Sequence, residues 1–452
     1  MRTLIFKKNF LELIKILEKG CFFAFLLTFP LGIKKTIYSF SLFRSDFFTA
    51  FLYPSEIFLI FAIFLFLIRL LFFEKNFFKI EKIEKKDLFL IFFVLVLFFK
   101  TIFSLNFFLS IYYFLRIIEG ILLYFYLKLN FSFYSKKLFF GILAIGGAFE
   151  GILALSQFLL QKSIGLYFLG EPKISYFIRN VAKFSTSNGR FIRSTGTFPH
   201  ANLLACFLVL SLVSFFWLWL EKKGFLKKQV SRFRFGDFAF LIFLIIGIFL
   251  TFFGLLTSFS RSGFAVCFIS SLTLPAFFFK KNFFYYKKRV KLLILILILF
   301  SIIGLVLFKD LIFVRVKISP NEPAVSYREI YFEIGKELTQ KTKFLGVGLG
   351  NYLIAVQKFN LFSKYNLTLP WEWQPVHNFY LLILDEVGIF GLVFFFLFLY
   401  LLLFEKKERL EKYLFFYLIL GWLLWAGFDH FFWTLYQGII IFWLSLGIFA
   451  SR

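Results

Sequence analysis

A chain of 452 residues with a mean hydropathy of +0.84 and 60% hydrophobic residues carries more apolar surface than a soluble domain can hide. A formal charge of +27 would suit nucleic acid on a soluble protein. Here no basic stripe is organised on such a domain, and the Lys and Arg residues gather in short segments between apolar runs, where they set membrane orientation. The pattern predicts an all-α integral membrane protein with about twelve transmembrane helices and one large extracytoplasmic loop that itself carries helices. The 81 phenylalanines are a compositional bias and are assigned to lipid-facing or core surface. Cys21, Cys206 and Cys267 lie in apolar runs and supply neither a disulfide framework nor zinc-ligand spacing.

Residues 1–160 are expected to form an N-terminal bundle of five spans, near 16–33, 54–73, 87–104, 107–127 and 137–160. The first follows a basic start without a small-residue cleavage site and is read as a retained span. The linker after it holds Arg44 and Asp46, and the loop 74–87 is rich in lysine. A tight turn at Asn106 joins spans three and four. Arg116 and Glu119, at i and i+3 in span four, can pair on one helix face. Such a pair is costly in lipid and is expected to face the bundle interior as a structural element. Span five contains Glu150.

Residues 161–308 are expected to hold an outer hairpin loop, 161–199, and spans six to nine. Asn188-Gly189 between two extended runs signals the hairpin. It leads into Arg193-Ser194-Thr195-Gly196-Thr197-Phe198-Pro199-His200. Span seven, near 237–257, ends in the turn Thr257 to Gly263, which contains Ser260-Arg261. Basic loops occupy 221–236 and 280–291.

Residues 309–376 form the large hydrophilic loop. A helix is predicted over 327–341, with Ser326 as its cap and Glu329 at capping-box spacing. Tyr327, Ile330, Tyr331, Ile334 and Leu338 give it one apolar stripe. Arg328 then falls in its first turn, where free N–H groups favour an anion. The run Gly346-Val347-Gly348-Leu349-Gly350-Asn351 reads as a turn that permits close backbone approach. It is not a dinucleotide fingerprint, because the spacing is wrong and no strand–helix unit surrounds it. Residues 377–452 are expected to supply spans ten to twelve, near 377–403, 414–429 and 431–450, with a basic turn at 405–412.

If every apolar run crosses, the basic loops 74–87, 221–236, 280–291 and 405–412 share the cytoplasmic side, as do both termini. The loops 161–200, 258–263 and 309–376 and the turn at Asp429-His430 share the outer side. The chain's three histidines, His200, His377 and His430, then gather on that outer face with Arg193, Arg261 and Arg328. Guanidinium groups suit a diphosphate through their bidentate geometry and permanent charge. A neighbouring histidine can act as a base on a hydroxyl. Transfer from a lipid-diphosphate donor to a hydroxyl fits this set, with no metal and no cofactor expected.

Four segments resemble the O-antigen ligase and O-antigen polymerase superfamily of multispan membrane glycosyltransferases. They are Arg193 to Phe198 with Asn202; Thr257 to Gly263 around Arg261; Arg328 leading to Gly346-Val347-Gly348; and His377-Asn378, followed after nine residues by Gly388 and then Gly391. The likeness is strongest over about 245–400. It implies a GT-C-like enzyme in the inner membrane of a bacterium, working on the periplasmic face. By the same resemblance, His377 activates or orients the acceptor hydroxyl, and Arg261 and Arg328 hold the diphosphate with help from Arg193. Asn378, Gly346, Gly348, Gly388 and Gly391 are implied as supporting residues, and His200, His430 and Asp429 are further candidates. The implied partners are an undecaprenyl-diphosphate-linked glycan, a lipid A-core or glycan acceptor, and membrane lipids; nucleic acid is not among them. Phe332 stands where ligases often place a leucine, which leaves ligase and polymerase both open. Two other readings are a transporter without chemistry and a metal-dependent oligosaccharyltransferase. The first calls for repeat-related halves, which the chain lacks. The second calls for clustered outer carboxylates, whereas Asp46 stands alone in the first outer loop.

Overall fold

The computed structural model describes residues 2–41, 45–73, 84–178, 181–186, 189–221, 235–278, 285–317, 322–405 and 408–451. Most of the predicted basic loops 74–87, 221–236 and 280–291, together with Arg44, Ser187 and Asn188, lie outside these residues.

Helix α1 (Arg2–Thr28) is followed by an antiparallel pair, β1 (Lys35–Ser39) and β2 (Thr49–Leu52). Helices α2 (Pro54–Phe72), α3 (Lys85–Ile102), α4 (Phe107–Asn130) and α5 (Lys136–Leu160) complete the N-terminal bundle. The predicted hairpin is present: β3 (Lys183–Thr186) pairs antiparallel with β4 (Gly189–Ile192), with Thr186 opposite Gly189. Then come α6 (Ala201–Glu221), α7 (Phe235–Ser258), α8 (Arg261–Ser271), α9 (Thr273–Ala276) and the long α10 (Lys287–Val316). The hydrophilic segment holds α11 (Pro323–Lys341), α12 (Tyr352–Lys358) and α13 (Leu361–Lys364). The chain closes with α14 (Phe379–Val387), α15 (Ile389–Leu403), α16 (Leu410–Ala426), α17 (Phe431–Thr434) and α18 (Tyr436–Ala450).

Six helices among the described residues are long and apolar enough to cross a membrane: Pro54–Phe72, Phe107–Phe133, Lys136–Leu160, Ala201–Glu221, Gly236–Ser258 and Lys287–Val316. Two shorter apolar helices, Ile389–Leu403 and Tyr436–Ala450, accompany them. A helix apolar on every face either sits in the centre of a bundle or faces lipid. Both fates occur here. Helix α6 is buried along its length among α5, α7, α8, α16 and α18, whereas α10 leaves most of its surface exposed.

The predicted charge pair in α4 is structural. Arg116 lies 3.5 Å from Glu119 and also meets the Glu56 carboxylate and the Phe51 carbonyl. The rings of Tyr53, Tyr112 and Tyr436 surround its guanidinium. The Phe51 N–H donates to the Tyr112 hydroxyl (3.2 Å), and the Tyr113 hydroxyl donates to the Phe47 carbonyl (3.2 Å). This cluster fixes the β1–β2 hairpin against α4, so that Phe47 is delivered to the site described below. Glu150 has a comparable role. It accepts from the Thr197 N–H (2.9 Å) and hydroxyl (2.6 Å), while Gln157 accepts from the N–H groups of Thr195 (3.0 Å) and Gly196 (2.9 Å). Helix α5 thereby grips the Ser/Thr/Gly turn.

Two expectations need correction. The loop helix begins at Pro323, a residue favoured at the first helical position, and Glu322 rather than Ser326 is its N-cap. Arg328 therefore sits in the second turn, away from the free N–H groups. The rest of that prediction holds: Tyr331, Ile334 and Leu338 are buried. Predicted span ten is also not one helix. It breaks at Gly388, whose φ of +85° ends α14. The glycine turn fits into the break: Val347 N–H donates to Asp385 O (2.9 Å), Gly348 N–H to Glu386 O (2.9 Å), and Ile389 N–H to Phe344 O (2.9 Å).

A methyl group added at Gly388 would stand 2.4 Å from the Leu345 carbonyl oxygen, in a backbone region that side chains rarely adopt. Gly388→Ala is expected to cost about 1–3 kcal/mol. A lowered thermal-unfolding midpoint of the detergent-solubilised protein would register it, with Gly141→Ala in α5, whose added methyl meets nothing within 4 Å and which should not lower the midpoint, as the control.

Candidate active site

The site is built from residues that are distant in sequence, and the Asn202 side chain is where they meet. Its Oδ1 accepts from Arg193 Nη2 (2.7 Å) and from the Ser260 hydroxyl (3.0 Å). Its Nδ2 donates to Asp429 Oδ2 (2.8 Å). Ser260 is also the N-cap of α8, accepting from the Gly263 N–H (3.2 Å), and so fixes the helix start that bears Arg261. Arg193 donates a second bond to the Ser258 carbonyl (2.8 Å). One amide at the start of α6 thus ties the Arg193 turn, the α8 start and the turn before α17.

Asn378 does the corresponding work on the other side. Its Oδ1 caps α14 by accepting from the Leu381 N–H (3.0 Å), and its Nδ2 donates to the Gly427 carbonyl (3.1 Å). The turn carrying Asp429 and His430 is thereby held beside His377. The His377 ring stacks on Tyr331 (centroids 5.5 Å apart, planes at 14°) and meets His430 edge-on at 4.9 Å. His430 in turn contacts Phe47 at 5.5 Å and bonds the Thr434 hydroxyl through Nδ1 (2.7 Å). Tyr331 is anchored by its hydroxyl to the Glu372 carbonyl (2.6 Å). His377 Nδ1 is enclosed and has no hydrogen-bond partner among the described residues. Stacking holds the ring in place where His377 lines both cavities described below.

Electrostatics favour a neutral His377. Burial lowers its pKa first, the field of His430 adds to this against the opposing pull of Asp429, and Arg328 adds further, giving about 3. Burial likewise lowers His430. Burial alone would raise Asp429, but the positive charge around it, from the histidines when protonated and from Arg328, outweighs burial and holds the carboxyl below its ordinary range. Asp429 is the counter-charge of the cluster, with its second oxygen accepting from the His430 N–H (2.9 Å).

Two cavities meet here. One, of about 790 Å³, is walled by apolar groups including Ala265, Val266 and Ile269 of α8, Phe332 of α11, and Leu424 and Trp425 of α16. The other, of about 680 Å³, is polar, with Asp46, Lys183, Arg193, His200, Glu372 and Gln374 among its walls. Arg328 and His377 line both. Arg328 makes no hydrogen bond or ion pair among the described residues, so its fork is open to a ligand.

Of the residues singled out from sequence, His377, Arg328, Arg193, His200, His430 and Asp429 share the polar cavity. Arg261 and Asn378 line the apolar one. Gly346, Gly348, Gly388 and Gly391 line neither and act as packing positions. Among the described residues, no group of three His, Cys, Asp or Glu side chains is disposed to hold a metal ion. Sequence reasoning gave no role to Arg315, Glu322 or Tyr331, and cited Asn202 without one. The signal for Asn202 was its place two residues after His200 in a polar turn. Arg315 fell within the predicted hydrophilic loop 309–376, whereas α10 continues past 308 to Val316 and carries Arg315 in its last turn.

The fold and the paired cavities define a helical membrane protein with a cationic, histidine-bearing site where an apolar cavity meets a polar one. Residues 246–396 match the family model described as O-antigen ligase, in support of the resemblance that the motifs carry. No curated protein matches the chain. The family match supports a membrane role in surface-polysaccharide biosynthesis. It takes in Arg261, Arg328 and His377 and leaves Arg193, Asn202 and Asp429 outside.

Asn202→Ala would strand Asp429 Oδ2 and Arg193 Nη2. Its expected cost is about 1–3 kcal/mol for each buried polar group left unpaired. Thermal unfolding of the variant against wild type measures it, and an unchanged midpoint would show that Asn202 does not bind these segments together.

Proposed function

We propose that this chain is a glycosyltransferase of the bacterial cytoplasmic membrane. It moves a glycan from an undecaprenyl-diphosphate carrier to a hydroxyl of a saccharide acceptor, on the outer face of a bundle of about twelve spans. The observation that carries this reading is the meeting of an apolar and a polar cavity at Arg328 and His377. The polyprenyl chain occupies the first cavity and the acceptor sugar the second, and the diphosphate lies at their junction.

The roles follow from the geometry. His377, neutral and lining both cavities, takes the proton of the acceptor hydroxyl. The freed oxygen bonds to the anomeric carbon of the donor glycan. The bond from that carbon to the diphosphate oxygen breaks, and its electron pair leaves with the polyprenyl diphosphate. Arg328 and Arg261 meet the charge that develops there. Asp429 stabilises the transient imidazolium and so acts as a positioning residue. Ligase and polymerase chemistry share these steps and differ in the acceptor, lipid A-core in one case and the next repeat unit in the other.

The direct test supplies the purified chain with an undecaprenyl-diphosphate-linked glycan and each acceptor in turn. Product with neither acceptor would point to transport without chemistry. His377→Gln is expected to lower transfer by about 10²–10⁴-fold while the protein remains folded; near-normal turnover would remove His377 from proton transfer. The pH profile gives an independent check. A base whose pKa is depressed stays neutral through the mildly acidic range, so kcat/KM for the donor should persist well below the ordinary histidine value of about 6.5. An acid limb centred at or above that value would contradict the neutral-imidazole assignment.

A further inference from the structure

Arg261 is not waiting empty-handed. Its Nη2 donates to Glu322 Oε2 at 2.7 Å, and Arg315 Nη1 donates to the other oxygen, Oε1, at 2.8 Å. The two arginines come from different elements, the first residue of α8 and the last turn of α10. A carboxylate whose two oxygens are each held by a separate guanidinium presents an O–C–O edge to two forks. A phosphate presents the same arrangement through O–P–O, with more charge. Burial alone would raise the Glu322 carboxyl, yet the hydrogen bonds from Arg261 and Arg315 hold it below the usual range, so it is ionised. The three side chains are only partly buried, with 27%, 11% and 22% exposure for Arg261, Arg315 and Glu322. An ion pair so open to solvent is weak and can be exchanged for a stronger anion.

Position adds to the chemistry. Glu322 and Arg315 line the polar cavity and Arg261 lines the apolar one, so the bridge lies across the partition that Arg328 also faces. Glu322 is also the N-cap of α11, though its side chain makes no capping bond. It is therefore free to leave without uncapping the helix.

We propose that Glu322 is an internal stand-in for a donor phosphate. In the empty protein it occupies the Arg261–Arg315 pair, and an incoming diphosphate displaces it, which makes Arg315 a donor-binding residue. The inference rests on the reading of the donor as a diphosphate. Loading is then an exchange of anions: the arginines are kept paired and in place before the lipid arrives, and apparent affinity is reduced by the fraction of time that Glu322 holds the site.

The test measures binding alone, with the full chain in detergent and no acceptor, by calorimetry with inorganic diphosphate and with undecaprenyl diphosphate. Glu322→Gln is expected to tighten both by about tenfold, the gain if the carboxylate occupies the site nine-tenths of the time. Glu322→Asp, which shortens the reach of the carboxylate, should give a smaller gain in the same direction and serves if the Gln variant folds poorly. Arg315→Gln added to Glu322→Gln should cancel the gain. Wild-type binding of undecaprenyl diphosphate that neither Glu322 variant tightens would overturn the stand-in and leave the glycosyltransferase reading intact. Absence of diphosphate binding in every variant would sink both.

Discussion

A single carboxamide organises the candidate active site. An amide group offers an acceptor and a donor on one planar carbon, and at Asn202 both are spent on charged or capping partners: Arg193 and Ser260 on the oxygen, Asp429 on the nitrogen. A carboxylate there would repel Asp429, and an apolar group would leave ionised neighbours without partners in a poorly solvated place. The Arg193 turn, the start of α8 and the turn before α17 have no covalent reason to be adjacent. Asn202 bonds all three, while Asn378 holds the same Asp429–His430 turn beside His377.

Much of the architecture was legible because its signals are periodic or compositional. Apolar runs marked the long helices, Asn188-Gly189 marked the hairpin, and the stripe from Tyr327 to Leu338 marked the loop helix. What stayed hidden depends on tertiary pairing. The break at Gly388 needs the glycine turn beneath it, and nothing between 377 and 403 announces that partner. The start of α11 was misplaced because Ser326 and Glu329 imitate a capping box, while Pro323 three residues earlier fits the first helical turn. The pair β1–β2 went unread because its strands are short and its fixing point, the Arg116 cluster, is assembled from α2, α4 and α18.

For the site, residue identity was easier to read than residue employment. Arginines and histidines could be collected on one face by counting spans, and the structure brings His377, Arg328 and Asp429 to one cavity. Yet the three expected diphosphate arginines differ in what they are doing. Arg193 is committed to Asn202 and Ser258, Arg261 to Glu322, and only Arg328 of the three is free among the described residues. A sequence motif specifies a side chain but not whether its hydrogen bonds are already taken.

The polar cavity is walled in part by two β-hairpins, through Asp46 and Phe47 of one and Ala182 and Lys183 of the other. Both hairpins precede the segment 246–396 that carries Arg261, Arg328 and His377. The chain therefore divides the walls of the site by position, with Arg261, Arg328 and His377 in one stretch and much of the opposing polar wall in another. Exchanging the hairpins would reshape the polar cavity without touching Arg328, which lines both cavities. On the proposed reading, a scaffold arranged in this way can change its acceptor while leaving the transfer step in place.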